Sequence, residues 1–330
     1  MDLNLDILRY KPREGIKMNI YPEASPTREY RIGVHKESSL PVFEYGNPDG
    51  VPLLMLHGGP GAGYSPFEVR CYNPKRYRII AFNQRGAAGT KNVGETTSNT
   101  LWDSVDDIES IRRELKVEKW VLSGGSYGST LALAYAEKHP ERCVGILLRG
   151  PFLARTSDIF NVIEGLRHFR PEEWQLMLSS FPECASDLSS WWKAFESKTY
   201  SGQLEIARLF MDYDLSAAFV NSESSAKALI LANDDVCLGV TRLFFHYARH
   251  QFWLEENQLL RDLPKIDHIP GIIVQGRFDL ICRPEGGWLL ANNWQSARLD
   301  MVENGGHSIA EAPMAEALRN ASDELLASYF

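Results

Sequence analysis

The sequence has few cysteines, no cluster of positive charge and no long apolar run. Its five cysteines are scattered and include no Cys-x-x-Cys pair, which argues against a disulfide scaffold or a cysteine zinc site. Acidic residues outnumber basic ones by 43 to 35, and no basic run supplies the positive field that nucleic acid requires. Apolar runs such as Val51–Leu56 are too short to cross a bilayer. The first residues lack the basic and apolar parts of a secretory signal. We therefore expect a cytoplasmic protein with neither a nucleic-acid nor a membrane partner.

What the chain does contain is an alternation of short strand-like and helix-like segments. Continuous apolar runs such as Ile146-Leu147-Leu148 are typical of strands buried on both faces of a parallel sheet. Apolar spacing predicts a helix over residues 99–115, and a run rich in Ala and Leu predicts another over 126–138. This order predicts an α/β fold with a mostly parallel eight-stranded sheet and helices on both faces. The predicted strands are Tyr30–His35, Pro41–Tyr45, Val51–Leu56, Tyr77–Phe82, Trp120–Ser123, Cys143–Leu148, Gly271–Gln275 and Ala297–Val302.

The alternation stops between residues 155 and 262, where helical patterning rich in aromatic residues replaces it. Strand signals resume near residue 269. A helical block between two strands of one sheet predicts a cap domain above the sheet edge. Residues 1–154 and 263–330 would then form the two parts of the core. A helical layer packed on the core is the alternative interpretation.

The segment Gly124-Gly125-Ser126-Tyr127-Gly128 contains the pattern G-x-S-x-G. An apolar strand-like run precedes it and a helix-forming run follows it, which is the context of the nucleophile turn of α/β-hydrolases. In such a turn the flanking glycines remove steric clashes and Ser126 stands at the N-terminus of a helix. The pattern therefore predicts Ser126 as a nucleophile. A purely structural glycine-rich turn is the alternative.

A second glycine-rich loop, His57-Gly58-Gly59-Pro60-Gly61, follows another buried strand. Backbone N–H groups in such a loop can approach a reacting carbonyl closely. We expect the N–H of Gly58 or Gly59, together with that of Tyr127, to form an oxyanion hole. A phosphate-binding loop is the competing interpretation, but the segment lacks the Gly-Lys-Ser/Thr ending that such loops carry.

A serine nucleophile needs a base and an acid that orients the base. Asp279 follows the predicted strand at 271–275, and His307 follows the one ending at Val302, in the order Ser, Asp, His that α/β-hydrolases use. All three side chains are thus predicted at one sheet edge. His246 and His250 are spaced for a metal site on a helix, but no Glu follows the first of them, so no metal is predicted.

With these residues considered together, the chain resembles the proline iminopeptidase (prolyl aminopeptidase) family of α/β-hydrolases. The resemblance runs from about residue 21 to the C-terminus and implies an α/β-hydrolase fold with an inserted helical cap. It also implies release of an N-terminal residue, typically proline, without a metal or organic cofactor. The matching segments include His57–Gly61, Gln84–Gly86, Asn99–Asp103, Gly124–Ala136, His139–Arg142, Leu148–Gly150, Gln275–Asp279 and Gly306–Ser308.

The chain also departs from the family pattern. Asn83 stands where the family usually has Asp, which removes a charge expected near the site entrance. Members recognise the free amino group with two acids from the cap, and the first of these is best matched by Asp214, with Phe210 and Tyr213 beside it. The second is replaced by Phe244, an apolar wall or a cation–π face. Other acids of this region could compensate for that loss, namely Glu196, Glu205 and Asp234.

These residues predict acyl transfer to Ser126, with His307 as base and then acid, Asp279 holding the imidazole, and the N–H groups of Gly59 and Tyr127 binding the oxyanion. The expected substrate is a small peptide, amino-acid amide or ester from which an N-terminal proline-like or small apolar residue is cleaved. The alternative is an esterase or amide hydrolase acting on a larger apolar acyl compound, as the loss of the acid at Phe244 would favour. A non-catalytic ligand-binding protein is a third possibility, which a broken triad would have indicated.

Overall fold

The computed structural model describes residues 18–34, 39–181, 188–220 and 225–329. Its strands are β1 (Arg28–Gly33), β2 (Ser39–Gly46), β3 (Val51–Leu56), β4 (Tyr77–Phe82), β5 (Trp120–Gly125), β6 (Cys143–Arg149), β7 (Gly271–Gly276) and β8 (Ala297–Val302). They form one sheet in the order β1-β2-β4-β3-β5-β6-β7-β8. β2 is antiparallel to both of its neighbours, and the pairs from β4 to β8 are parallel. The predicted fold class is confirmed, although the last residue of the first predicted strand, His35, lies outside the described residues.

Each face of the sheet carries its own apolar core. On β3, Leu54 and Leu56 belong to one buried cluster, whereas Leu53 and Met55 belong to the other, because successive strand residues point to opposite faces. Helices α2 (Leu101–Glu114), α3 (Tyr127–Lys138) and α11 (Pro284–Asn293) contribute to the first cluster. Helices α1 (Pro66–Val69) and α12 (Ala312–Tyr329) contribute to the second. Both faces are thus covered, as continuous apolar strands require.

Helix α2 begins where the sequence supplies a cap. Thr100 Oγ1 accepts the Asp103 N–H, and the Asp103 carboxylate accepts the Thr100 N–H, each at 3.1 Å. This reciprocal pair satisfies two donors that the first turn would leave open. Buried residues from Leu101 to Ile111 at spacings of three and four face the sheet, which explains why the apolar pattern located this helix.

The helices between β6 and β7 are α4 (Thr156–Ile163), α5 (Pro171–Ser180), α6 (Leu188–Glu196), α7 (Tyr200–Ala218), α8 (Ser225–Leu231), α9 (Asp234–Arg249) and α10 (Gln258–Arg261). β6 and β7 pair directly, so this helical segment is one excursion from the sheet. Within it, α7 and α9 pack through Phe210, whose ring centroid lies 5.8 Å from that of Phe244 and 4.9 Å from that of Phe245. Whether residues 155–262 form a domain of their own stays a prediction. In the described ranges, no helix has the length and apolarity needed to span a bilayer.

Candidate active site

The carboxyl ends of β5, β7 and β8 bring three predicted site residues to one edge of the sheet. Ser126 follows β5, Asp279 lies three residues after β7, and His307 lies five residues after β8. These strands are parallel to their neighbours in the sheet. The carboxyl ends of parallel strands share an edge, which is where open α/β sheets bind their ligands.

Ser126 adopts a strained backbone conformation, with φ 56° and ψ −128°, which non-glycine residues rarely occupy. The turn is held by close packing, since a Cβ at Gly128 would overlap Leu56 O. Because α3 begins at the next residue, the serine stands at a helix N-terminus, where developing negative charge is favoured. Its Oγ lies 3.9 Å from Cys282 Sγ.

His307 and Asp279 form the other half of the arrangement. His307 Nδ1 lies 2.8 Å from Asp279 Oδ2, while Asp279 Oδ1 accepts the backbone N–H groups of Ile281 and Cys282 at 3.1 and 2.8 Å. The carboxylate is therefore held from both sides, and it directs the Nδ1–H tautomer and leaves Nε2 free to act. In the described chain no hydrogen bond joins Ser126 Oγ to His307. Such contacts often form only when substrate binds.

The loop that carries His307 is fastened to the end of α7. Ala218 O accepts the N–H groups of His307 and of the following residue, both at 3.0 Å. The Glu311 carboxylate accepts the N–H of Gly306 at 3.1 Å and that of Val220 at 3.0 Å. Three of these hydrogen bonds connect the histidine loop with the end of the helix that also carries Asp214, and the bond from Gly306 to Glu311 stabilises the loop itself.

His57 orients the predicted oxyanion loop. Its Nε2 accepts the Gln84 N–H at 3.0 Å, so its Nδ1 carries the proton and donates to Gly58 O at 2.9 Å. Burial lowers the pKa of His57 to about 4, which keeps the ring neutral. Because carbonyl and N–H point in opposite directions in a trans peptide, holding Gly58 O directs the N–H of Gly59 away from His57. A Cβ at Gly58 would lie 3.1 Å from Ser126 Cβ, so the loop runs directly beside the serine.

A cavity of about 270 Å³ lies above these residues. Gly58, Gly59 and Tyr127 line it together with Ser126 and His307. Tyr127 is the first residue of α3, where N–H groups have no acceptor inside the helix. Most of the remaining wall is apolar and comes from the helical segment between β6 and β7. The charged side chains that line the cavity, apart from histidine, are Glu68, Arg149 and Asp214.

Three of the four predicted substrate-binding residues line this cavity. Phe210, Asp214 and Phe244 do so, whereas Tyr213 does not, and its role in substrate binding stays a prediction. On α7, residues 210 and 214 are four apart and share a face. Tyr213 points elsewhere and packs against Trp174, with 5.6 Å between the ring centroids.

Asp214 has the properties of an anchor for a cation. Burial raises the pKa of Asp214 to about 6, with a smaller raising effect from Asp279 and an opposing effect from His307. Its carboxylate makes no hydrogen bond or ion pair with other described residues. An acid that lines a cavity in this way is free to bind a ligand, and it is ionised at neutral pH.

The acids considered as substitutes for the one missing at Phe244 are engaged or exposed elsewhere. Glu196 pairs with Arg242 at 3.0 Å, and Asp234 pairs with Arg208 at 2.7 Å. Glu205 is exposed on α7. None of these three acids lines the cavity.

Asn83 is also placed differently from the prediction. It is buried, and its Oδ1 accepts the Tyr64 N–H at 2.9 Å. It does not line the cavity. The change from Asp to Asn therefore bears on the packing of the loop and not on the charge at the entrance.

The cavity is also lined by polar residues to which the sequence analysis gave no role, among them Glu68, Arg149 and Cys282. Arg149 Nη1 donates to His307 O at 2.7 Å and so supports the histidine loop. Cys282 lies three residues after Asp279 and is buried, and burial raises the pKa of its thiol. Arg149 lay within a family-like segment, whereas no motif marked Glu68 or Cys282.

The two helical histidines weighed as metal ligands have other partners. His246 Nε2 lies 3.0 Å from Asn99 O, and burial lowers its pKa to about 4. His250 stacks on Trp253, with ring centroids 5.1 Å apart. Across the described ranges, no group of three or more His, Cys, Asp or Glu side chains is arranged to hold a metal ion.

Comparisons with known proteins agree with this geometry. The family model described as the alpha/beta hydrolase fold matches residues 51–311. A probable proline iminopeptidase of Leptolyngbya boryana is 35% identical over 315 residues, covering 93% of this chain and 97% of its own. A proline iminopeptidase of Arabidopsis thaliana is 35% identical over 319 residues, covering 94% and 83%. Among solved structures, a bromoperoxidase from Bacillus anthracis superposes with a TM-score of 0.67 at 18% identity, over 91% of this chain and 100% of that one, a likeness of fold alone.

Proposed function

The chain belongs to the proline iminopeptidase family of α/β-hydrolases and is an enzyme of that type, and from this premise we propose that it releases an N-terminal residue from a peptide or amide through an acyl-enzyme. The residue released is proline or another small apolar residue. The observation that carries the proposal is the 2.8 Å contact between His307 and Asp279 at the mouth of a cavity that Ser126 also lines.

In the proposed mechanism Ser126 Oγ attacks the carbonyl carbon of the N-terminal residue. The hydroxyl now faces Cys282, so it turns toward His307 Nε2 when substrate enters. His307 takes the hydroxyl proton and passes it to the leaving amine, and Asp279 stabilises the imidazolium that forms in between. Water then attacks the acyl-enzyme with His307 again as the base, which frees the amino acid and restores the serine.

The oxyanion that forms during both steps is bound by the N–H groups of Gly59 and Tyr127. Support comes from the neutral His57, which holds the Gly58 carbonyl and so presents the next N–H to the cavity. A single donor of this kind typically contributes about 100- to 1000-fold in rate. The dipole of α3 adds to this stabilisation because Tyr127 begins the helix.

Substrate recognition is assigned to Asp214, Phe210 and Phe244. The ionised Asp214 carboxylate binds the free amino group, and the two rings, stacked 5.8 Å apart, enclose the apolar side chain of the acyl residue. The amino group of the substrate is thereby held at the wall of the cavity, while the carbonyl carbon of the same residue lies beside Ser126.

The test is a set of hydrolysis rates measured on p-nitroanilides of proline, alanine and N-acetylproline and on a short-chain p-nitrophenyl ester. We expect the free-amine anilides to be cleaved with the highest kcat/KM, and Ser126→Ala to lower all rates by at least about 10⁴-fold. The matched control is Ser179→Ala, an exposed serine on α5, which should leave the rates unchanged. A Ser126→Ala enzyme with the rates of the unmodified protein would refute the mechanism.

A second candidate is an esterase or amidase for a larger apolar acyl group. The observation that favours it is the apolar character of the wall at Phe244 and beyond, to which Leu229, Ile230 and Val240 contribute. Equal cleavage of acetylated and free proline anilides, with faster cleavage of the ester, would favour this candidate over the aminopeptidase.

A further inference from the structure

Glu68 is the second acid of the cavity, and the mechanism above does not use it. It lies on α1, seven residues after Gly61 at the end of the glycine loop, and lines the cavity together with Arg149 and Ser126. Its Oε1 is 3.4 Å from the Tyr72 hydroxyl, a long contact. That hydroxyl has a closer partner in Ser123 Oγ at 2.8 Å. In the described part of the chain Glu68 forms no ion pair, and it is one of the residues that line the cavity.

The charged groups around Glu68 leave it available for a ligand. Burial raises the pKa of Glu68, and the neighbouring cation Arg149 opposes that effect. The guanidinium of Arg149 is buried and donates through Nη1 to His307 O. Asp214 is assigned to the amino group of the acyl residue, and Arg149 is engaged with the histidine loop. Glu68 is therefore the acid of the cavity that is left to meet a further cationic group of the substrate.

We expect Glu68 to lie near the part of the substrate that forms the leaving group. His307 protonates the leaving amine, so the part of the substrate beyond the scissile bond lies beside the histidine ring. The residues that follow His307 line the cavity, and among them Ile309 packs on the same apolar cluster as Phe67, the neighbour of Glu68. Phe210 and Phe244, assigned to the acyl residue, belong to the other cluster. Glu68 on α1 and Asp214 on α7 thus belong to different elements of the cavity wall.

We propose that Glu68 forms a subsite for the residue after the scissile bond and that it selects a positively charged side chain, lysine or arginine, over an acidic one. The inference rests on the proposed aminopeptidase function and adds a substrate class to it. When a flexible ammonium or guanidinium binds at Glu68, the carboxylate gains an ion pair, whereas an acidic second residue gains none at the same place.

The experiment uses dipeptide amides that share the N-terminal residue cleaved best by the unmodified enzyme. The second residue is lysine, glutamine or glutamate, and the C-terminal amide removes the extra carboxylate. For the unmodified protein we expect kcat/KM to fall in the order lysine, glutamine, glutamate, with roughly fivefold between steps, the size of a partly exposed ion pair. Glu68→Gln should bring the three values together, and Glu68→Lys should reverse their order.

The matched control is Glu118→Gln, an exposed carboxylate between α2 and β5, which should preserve the lysine preference. Since the readout is a ratio between substrates, a general loss of stability in Glu68→Gln does not imitate the expected result. A glutamate preference, a lysine preference that survives Glu68→Gln, or a uniform fall in all three rates would overturn the inference. If no free-amine substrate is cleaved by the unmodified protein, the proposed function itself has failed, which is a different outcome.

Discussion

The most direct test of substrate recognition is Asp214→Asn, which keeps the shape of the side chain and removes its charge. The carboxylate has no partner among the described residues, and it lines the cavity beside Phe210. A charge-assisted hydrogen bond to a bound ammonium contributes about 1.5–3 kcal/mol. We therefore expect kcat/KM for a free-amine anilide to fall by about 10- to 100-fold, and that for the acetylated anilide or the ester to stay nearly constant.

The raised pKa of Asp214 predicts that the preference for free-amine substrates depends on pH. Burial raises the pKa of Asp214 to about 6, so the carboxylate loses its charge as the pH falls through about 6. All substrates use the same catalytic base, so effects of pH on the base cancel in the ratio of kcat/KM for the free amine to kcat/KM for the ester. This ratio should fall about tenfold between pH 7 and pH 5. In Asp214→Asn it should be flat over that range.

Stability measurements separate recognition from folding in this variant. A carboxyl whose pKa is raised in the folded state binds its proton more tightly there, so its contribution to stability is lost as the pH rises through that pKa. Asp214→Asn removes this cost and should be at least as stable as the unmodified protein at pH 7, by urea unfolding. Equal loss of activity on free and acetylated substrates, or a ratio that does not change with pH, would refute the assignment of Asp214.

Two further predictions concern the frame of the site and the core. Glu311→Ala removes the carboxylate that accepts the N–H groups of Gly306 and Val220. Because His307 would then be misplaced, kcat should fall by up to about 100-fold while KM changes less. Glu311→Gln can still accept one of these hydrogen bonds and should recover part of the lost kcat, whereas a change confined to KM would contradict the positioning role of Glu311. Burial raises the pKa of Glu137 to about 9, so the folded state holds an extra proton between pH 4.5 and 9 and stability falls as the pH rises. Glu137→Gln should therefore gain up to about 3 kcal/mol in unfolding free energy at pH 7 and almost nothing at pH 4.5, and a gain independent of pH would contradict the buried proton.

The parts of this molecule that the sequence predicts well are those that depend on local chemistry. Continuous apolar runs locate the strands because both faces of the sheet are covered. Glycines locate the nucleophile turn because a side chain at Gly128 would overlap Leu56 O. Asp279 and His307 could be placed at the same edge of the sheet as Ser126 because each follows a parallel strand. The carboxyl ends of parallel strands lie at one edge of the sheet, so residues that follow different strands in the sequence come close together in the fold.

The residues that the structure places elsewhere than expected are those whose positions depend on the phase of a helix or on packing between distant segments. Tyr213 is next to Asp214 in sequence, but successive helix residues are rotated by about 100°, so Tyr213 packs against Trp174 and not in the cavity. Asn83 follows β4 near the site in sequence, yet it is buried against the Tyr64 amide. Neither the contact of Tyr213 with Trp174 nor that of Asn83 with the Tyr64 N–H can be predicted from the residues that surround it in the sequence.

The acid at Glu68 shows why substrate preference is harder to predict than reaction type. The reaction requires a few groups in one fixed relation, and strand ends supply that relation. A cavity wall is assembled from segments far apart in the chain, here α1, α7 and α9, and a change in one can be offset or redirected by another. Within the helical segment that carries Phe244, Glu196 and Asp234 pair with arginines and do not line the cavity. The second acid of the cavity beside Asp214 is Glu68, which comes instead from α1 in the core, where no sequence motif marked it.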